Sequence, residues 1–275
     1  MKAWAGEQRS KGHTVALVPT MGFFHEGHLA LMRMAATKAD KVVVSLFVNP
    51  IQFGPGEDLE QYPVDLDRDE ELARRQGVSV LFIPKPEEMY PAGFQTRVSV
   101  TELSRHLCGA DRPGHFNGVT TVVCKLFHIV CPDFAVFGEK DFQQLAVIKR
   151  MVADLNMDVQ ILAHPIVREP DGLAMSSRNS YLGPDERSQA LCLSRAIDHA
   201  RELYAEGVRD TERLADAARQ IIEPVAGTRI QYISFVNRIT LEPVSQADDN
   251  TQLALAVTIG GHVRLIDNGR LTREC

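Results

Sequence analysis

Short apolar runs alternate with segments of helical spacing along the first part of the chain. Residues 14–18 (TVALV) are an apolar run ending before Pro19, as a buried strand does. Residues 26–38 carry Leu29, Leu31, Met32, Met34, Ala35 and Ala36 at helix-like intervals after a glycine-containing turn. Residues 41–48 (KVVVSLFV) read as the next strand, rich in β-branched residues and bounded by Asn49-Pro50. A polar helix over 65–76 ends at Gly77, and 78–83 returns as a strand. An apolar helix over 118–130 is stopped by Pro132; a strand at 134–137, a helix at 141–154 and a strand at 158–163 follow.

Strands alternating with helices predict an α/β fold: a parallel, doubly wound sheet covered on both faces. The alternation ends near residues 168–180. Beyond it, 185–207 and 210–222 read as helices and 230–236 and 252–257 as strands of a smaller α+β unit. The division expected is 1–170 and 171–275. In doubly wound sheets ligands bind beyond the carboxyl ends of the strands. The informative stretches are therefore 19–28, 49–52, 138–141 and 167–178.

Composition narrows the classes. Hydrophobic residues make up 44% and charged residues 24%, an ordinary globular balance. A formal charge of −6 argues against a nucleic-acid partner held by bulk electrostatics, so a small anionic substrate needs local positive charge. The polar N-terminal stretch shows no signal peptide, and the longest apolar run is strand-sized; a cytoplasmic protein with no membrane partner is expected. The 5 cysteines (Cys108, Cys124, Cys131, Cys192 and Cys275) include no C-x-x-C pair, so neither zinc nor a disulfide framework is indicated. Cys124 and Cys131 are expected as buried packing residues.

The stretch 19–28 (PTMGFFHEGH) sits where a strand turns into a helix. A helix N-terminus offers N–H groups and positive dipole charge to phosphate, and Gly22 and Gly27 let backbone approach a ligand. His25 and His28 fall on one side of the helix start, where two imidazole donors suit the α-phosphate and leaving pyrophosphate of ATP. Alone, such a pair reads first as a helix cap and a surface residue. Zinc is a further reading, but the H-E-x-x-H spacing is absent. Lys140 follows Gly138 at a strand's end and can place charge near phosphates, though a lone loop lysine is usually solvated. Asp141 can accept from a ribose or cap the next helix. Gln52 and Gln144 can donate and accept, as hydroxyls and a carboxylate require; alone, each reads as a surface residue. Arg178, with Ser176 and Ser177, offers donors to phosphate oxygens, and the same segment reads as a linker after Asp171-Gly172. The acidic run 65–71 reads as a solvated helix face.

The H-x-G-H of residues 25–28 resembles the nucleotidyltransferase signature, shared with class I aminoacyl-tRNA synthetases. The longer PTMGFFHEGH resembles the pantothenate synthetase family. Residues 47–53 (FVNPIQF), 112–116 (RPGHF), 137–144 (FGEKDFQQ), 175–179 (MSSRN) and 265–268 (LIDN) agree in order along nearly the whole chain. The resemblance implies a Rossmann-like ATP- and pantoate-binding domain, with the smaller domain closing over it. It implies ATP, (R)-pantoate and β-alanine as substrates, Mg²⁺, a pantoyl-adenylate intermediate and a homodimer. His28, His25, Lys140 and Arg178 take catalytic places. Met21 through His28, including Phe23, Phe24 and Glu26, bind ATP, as do Gly138, Glu139, Lys140, Asp141, Val167 and Met175 through Arg178. Gln52 and Gln144 hold pantoate or β-alanine, Asn49 is a further site candidate, and Asp69 lies near magnesium. The 175–178 segment resembles a shortened, lysine-free KMSKS loop.

Three positions depart from the family pattern: Val64 where arginine is usual, Asn117 in place of aspartate, and Asn237 in place of aspartate. The N-terminus is also shorter than usual. None touches the H-x-G-H, G-E-K-D or M-S-S-R segments. Three rivals remain at this level: a nucleotidyltransferase that stops at AMP transfer to a phosphorylated acceptor, a tRNA-binding synthetase fragment or other nucleic-acid module, and a catalytically silent homologue, which the intact motif set disfavours. Released AMP separates the first; the negative charge and single Trp4 disfavour the second.

Overall fold

The structure is a computed structural model and describes residues 1–272; Cys275 lies outside them. In chain order the elements are α1 (Lys2–Ser10), β1 (Val15–Thr20), α2 (Glu26–Ala36), β2 (Lys41–Leu46), α3 (Leu66–Arg75), β3 (Val80–Phe82) and α4 (Pro86–Met89). There follow α5 (Leu107–Asp111), α6 (His115–Val130), β4 (Phe134–Gly138), α7 (Phe142–Asp154) and β5 (Gln160–His164). The last group is α8 (Pro184–Ala190), α9 (Cys192–Ala205), α10 (Thr211–Ile222), β6 (Thr228–Asn237), β7 (Thr251–Ile259) and β8 (Val263–Arg270).

The chain divides into two compact units. The first comprises Met1–Ser104, Arg112–Glu139 and Gln144–Ile166. The second begins at Val167 and also takes in Arg105–Asp111 and Lys140–Gln143. The expected single cut is thus replaced by a division in which two short segments belong with the C-terminal part.

In the first unit a five-stranded parallel sheet has the order β3-β2-β1-β4-β5. Strands buried on both faces need no polar alternation, which is why VALV and VVV are continuous apolar runs. Ala16, Val18, Val42, Val44 and Val136 pack with Phe24 and Met32 on one side. On the other side α6 touches β1 and α1. The order reverses between β1 and β4, so the crevice of a doubly wound sheet opens beyond the ends of these two strands.

β1 does not stop before Pro19. It continues with Pro19 opposite Ser45, where pairing with β4 has already ended at Leu17, so a missing N–H is tolerated. Cys124 is half-buried and Cys131 exposed, against the expectation of packing residues. Cys131 ends α6 in the left-handed conformation just before Pro132.

The second unit holds the antiparallel sheet β6-β7-β8. Leu253, Leu255, Val257 and Ile259 face Ile197, Leu214, Ala218 and Ile222 of α9 and α10. β7 is buried along its whole length. The opposite face is covered by the two borrowed segments: the Tyr232 hydroxyl meets Cys108 Sγ at 3.1 Å, and Asn268 Nδ2 donates to the Lys140 carbonyl at 2.8 Å. The expected helix over 185–207 is two helices meeting at Leu191. β8 is not expected from the sequence, because Asp267 and Asn268 interrupt its apolar pattern; both are buried and hydrogen-bonded.

Candidate active site

The turn after β1 is built around Asp69 of α3. This carboxylate is 1% exposed and accepts from Phe23 N at 2.6 Å and Phe24 N at 2.7 Å, one amide to each oxygen. Burial pushes its carboxyl up from the ordinary value, and the two amides pull the other way. Gly22, at φ 93°, is the position that permits this approach: a Cβ there meets Asp69 Oδ2 and Leu46 at 3.1 Å. Thr20 adds a second tie, donating to the Ser45 carbonyl at 2.7 Å and accepting from Gly22 N at 3.3 Å. Phe24 then drops into the core and is fully buried.

The chain enters α2 with His25 at the N-cap position in extended conformation. The His25 amide donates to His28 Nδ1 at 3.4 Å, and the two rings lie 4.1 Å apart between centroids, tilted by 33°. An imidazole that accepts at Nδ1 carries its proton at Nε2, so His28 presents an Nε2–H donor. The first amides of α2 add helix-terminus donors beside it. Glu26 is exposed and pairs with Arg33.

The turn after β2 carries Asn49 and Gln52. Asn49 is 1% exposed; its Nδ2 donates to Gln52 Oε1 at 3.0 Å and the Gly118 carbonyl at 3.1 Å, while Oδ1 accepts from the Tyr90 hydroxyl at 2.7 Å. Burial pushes the Tyr90 hydroxyl up, so it stays a donor. Gln52 Nε2 lies 3.1 Å from Met21 Sδ, a weak acceptor that a carboxylate or hydroxyl oxygen readily displaces. The Gln52 carbonyl accepts from His115 Nδ1 at 2.8 Å. Arg112 adds a two-bond pair to Glu57 at 2.6 and 2.5 Å. Burial raises the Glu57 carboxyl, but the Arg112 hydrogen bond and charge outweigh it and hold the pKa at about 2. This turn lies on Gly118 of α6, where a Cβ would overlap the Ile51 carbonyl oxygen and fall 2.5 Å from Gln52 Cα.

In the second unit, Lys140 sits in a 3₁₀ turn, Glu139–Asp141, directly after β4. The segment from Val167 doubles back on itself: Met175 N donates to the Val167 carbonyl at 3.0 Å. Arg168 clamps this return through Asp267, at 2.7 and 2.9 Å, and donates to the Gly172 carbonyl at 3.0 Å. Ser176 Oγ accepts from Arg178 N at 3.3 Å, starting a second 3₁₀ turn, Ser177–Tyr181. Asn179 ties that turn to Glu169 and the Ala174 carbonyl at 3.0 and 3.1 Å. The 175–178 segment is therefore hydrogen-bonded structure rather than a bare linker.

The sequence profile of pantoate-beta-alanine ligase matches residues 1–270. A pantothenate synthetase of Geobacter sulfurreducens is 58% identical over 274 residues, covering 100% of this chain and 96% of the relative. The chain belongs to the pantoate-beta-alanine ligase family. The pantothenate synthetase of Heliobacterium modesticaldum is 57% identical over 270 residues, covering 98% of this chain and 95% of the relative. The crystal structure of a pantothenate synthetase from Thermus thermophilus superimposes with a TM-score of 0.93 at 46% identity, covering 98% of each chain. A pantoate-beta-alanine ligase from Francisella tularensis, complexed with beta-gamma ATP and beta-alanine, superimposes at TM-score 0.80 and 33% identity, covering 98% of this chain and 95% of that one.

In this family member the first unit bonds Gln52 to Asn49 and Met21, holds the Phe23 and Phe24 amides on Asp69, and pairs His25 with His28 at the start of α2. Gln144 lies half-buried on α7. The second unit groups Lys140 with Val167 and the 175–178 turn by way of Asp267 and Asn268. Several expectations need correction. Phe24 buries its ring and gives its amide to Asp69, so neither is left for a nucleotide. The acidic run is not wholly solvated, because Asp69 points inward. Each of its oxygens accepts one backbone amide. Sequence reasoning misses the roles of Arg112, His115, Asp267 and Asn268 although RPGHF and LIDN stand out as motifs; their work is to support backbone, which leaves no chemical signature in sequence.

Proposed function

We propose that this chain joins pantoate to β-alanine through a pantoyl-adenylate held at the H-x-G-H turn. The reaction is the ATP-dependent condensation of pantoate with β-alanine. A pantoate carboxylate oxygen attacks the α-phosphorus of ATP, and the bond to pyrophosphate breaks. The β-alanine nitrogen then attacks the acyl carbon, the bond to AMP breaks, and the amine loses a proton. His28 carries the reading: with Nδ1 turned to the His25 amide, its proton sits on Nε2, where it can be donated to charge gathering on the phosphoryl oxygens. His25, Lys140 and Arg178 add donors and positive charge. Gln52 and Gln144 hold pantoate, with Gln52 kept in place by Asn49 and its amide donor turned toward Met21. Val167 and Met175 flank the nucleoside.

The first unit is proposed to bind ATP and pantoate, and the second to close over them. Magnesium is proposed to arrive on the ATP phosphates, close to Asp69, whose two oxygens each accept one backbone amide. A homodimer, on the strength of the resemblance, and a cytoplasmic location are proposed as well, and sedimentation tests the first. The described residues hold no helix long and apolar enough to cross a membrane.

The test is a pyrophosphate burst. ATP and pantoate alone should release about one pyrophosphate per site and stall, since a bound acyl-adenylate is shielded from water. β-Alanine should then release amide and AMP together, faster as pH rises toward the amine's pKa near ~10. His28→Ala should lower the burst rate about 100-fold or more. No pyrophosphate before β-alanine is added, with no trappable adenylate, would refute the stepwise reading.

A further inference from the structure

β8 carries two adjacent buried polar residues, Asp267 at 3% and Asn268 at 4% exposure, directly after the apolar Leu265 and Ile266. Buried polar side chains are costly unless every group is partnered, so their orientation is tightly fixed. The Lys140 carbonyl can only accept, so the end of the Asn268 amide that meets it at 2.8 Å is Nδ2. Its Oδ1 then accepts from Gln252 Nε2 at 2.7 Å. Its backbone N–H is tied to Asp267 Oδ1 at 2.8 Å, and Asp267 is in turn clamped by Arg168. The 3₁₀ turn bearing Lys140 is thus held at the lysine's own carbonyl by a buried side chain that is hydrogen-bonded at both ends of its amide.

We infer that Asn268 is a positioning residue for Lys140. It fixes the origin of a long, flexible side chain whose ammonium group must meet the phosphates during adenylate formation. The inference rests on the role proposed above for Lys140. A lysine is a compact charge on a four-carbon tether, and its use in a transition state depends on where the tether starts. Misplacement by about 1 Å can cost on the order of 100-fold in rate.

The test is a double-mutant cycle on the full chain, read as pantoate-dependent ATP–pyrophosphate exchange. Aminolysis of supplied pantoyl-adenylate is the control reaction. Asn268→Ala should slow exchange about 10- to 100-fold and leave aminolysis near the unmodified rate. Asn268→Asp, which keeps the size and the acceptor for Gln252 but loses the donor to Lys140, should be equally slow. Adding Asn268→Ala to Lys140→Ala should slow exchange no further, because a residue acting through the lysine has nothing left to position. Multiplying losses would overturn the inference, since they assign Asn268 an effect independent of Lys140. Normal exchange in both Asn268 variants, with Lys140→Ala crippled, would overturn it while leaving the Lys140 role intact. Normal exchange in Lys140→Ala would overturn the underlying role and this inference with it.

Discussion

Replacing Asp69 separates two meanings of a buried carboxylate. Asp69→Ala removes the acceptor for two backbone amides, Phe23 N at 2.6 Å and Phe24 N at 2.7 Å. A hydrogen bond to a charged group contributes about 1.5–3 kcal/mol, and an amide left buried without a partner costs a similar amount. Part of this is offset, because the variant is relieved of the desolvation that pushes the Asp69 carboxyl up. A net loss of about 3–4 kcal/mol is expected, a large share of the ~5–15 kcal/mol that holds a domain folded. Asp69→Asn keeps one acceptor oxygen but turns an NH₂ toward the second amide, so a loss of about 2 kcal/mol is expected. The single Trp4, on α1, reports urea unfolding of the first unit by fluorescence. Pyrophosphate exchange should fall with stability, since the same turn delivers His25 and His28. The decisive variable is magnesium. A brace gives the same loss of stability and exchange at any Mg²⁺ concentration. An Asp69→Asn variant with unchanged urea midpoint, rescued by raised Mg²⁺, would refute the bracing role and restore Asp69 as a metal ligand.

Two further outcomes test the turn after β2. Gly118→Ala should gain about 1 kcal/mol from helix propensity, yet its Cβ would overlap the Ile51 carbonyl oxygen and lie 2.5 Å from Gln52 Cα. Backbone overlap of that kind costs more than propensity returns, so a net loss of about 2 kcal/mol, with a weaker KM for pantoate, is expected; a raised melting temperature would show the contact is relieved without cost. The Glu57–Arg112 pair concerns acid stability: the folded carboxyl sits at about 2 against an ordinary 4.5. A depressed carboxyl pKa stabilises fully above about 4.5, and the contribution is lost as pH falls toward 2. After allowance for partial solvent screening it amounts to about 1–2 kcal/mol. The stability gap between unmodified protein and Glu57→Gln should therefore close over that window, and a gap constant with pH would count against the pair.

What sequence alone determined about this protein is the part governed by local pattern. Parallel strands buried on both faces must be apolar runs, so VALV and VVV declared the sheet, and the strand–turn–helix context placed PTMGFFHEGH at the entry to a helix. The long ordered motifs pointed to the family, because strings as long as FGEKDFQQ and MSSRN, in order along one chain, do not agree by chance. What only the tertiary structure decided is which polar residues face inward. Asp69 looked like one acid among several on a solvated helix, and only the approach of the Phe23 and Phe24 amides makes it a brace. β8 was hidden because Asp267 and Asn268 break its apolar period, and their burial is acceptable only because Arg168, Gln252 and the Lys140 carbonyl come from distant parts of the chain. Periodicity reports the face a residue turns to its own element. The partner that makes a buried polar group stable is a long-range contact, and no local pattern encodes it.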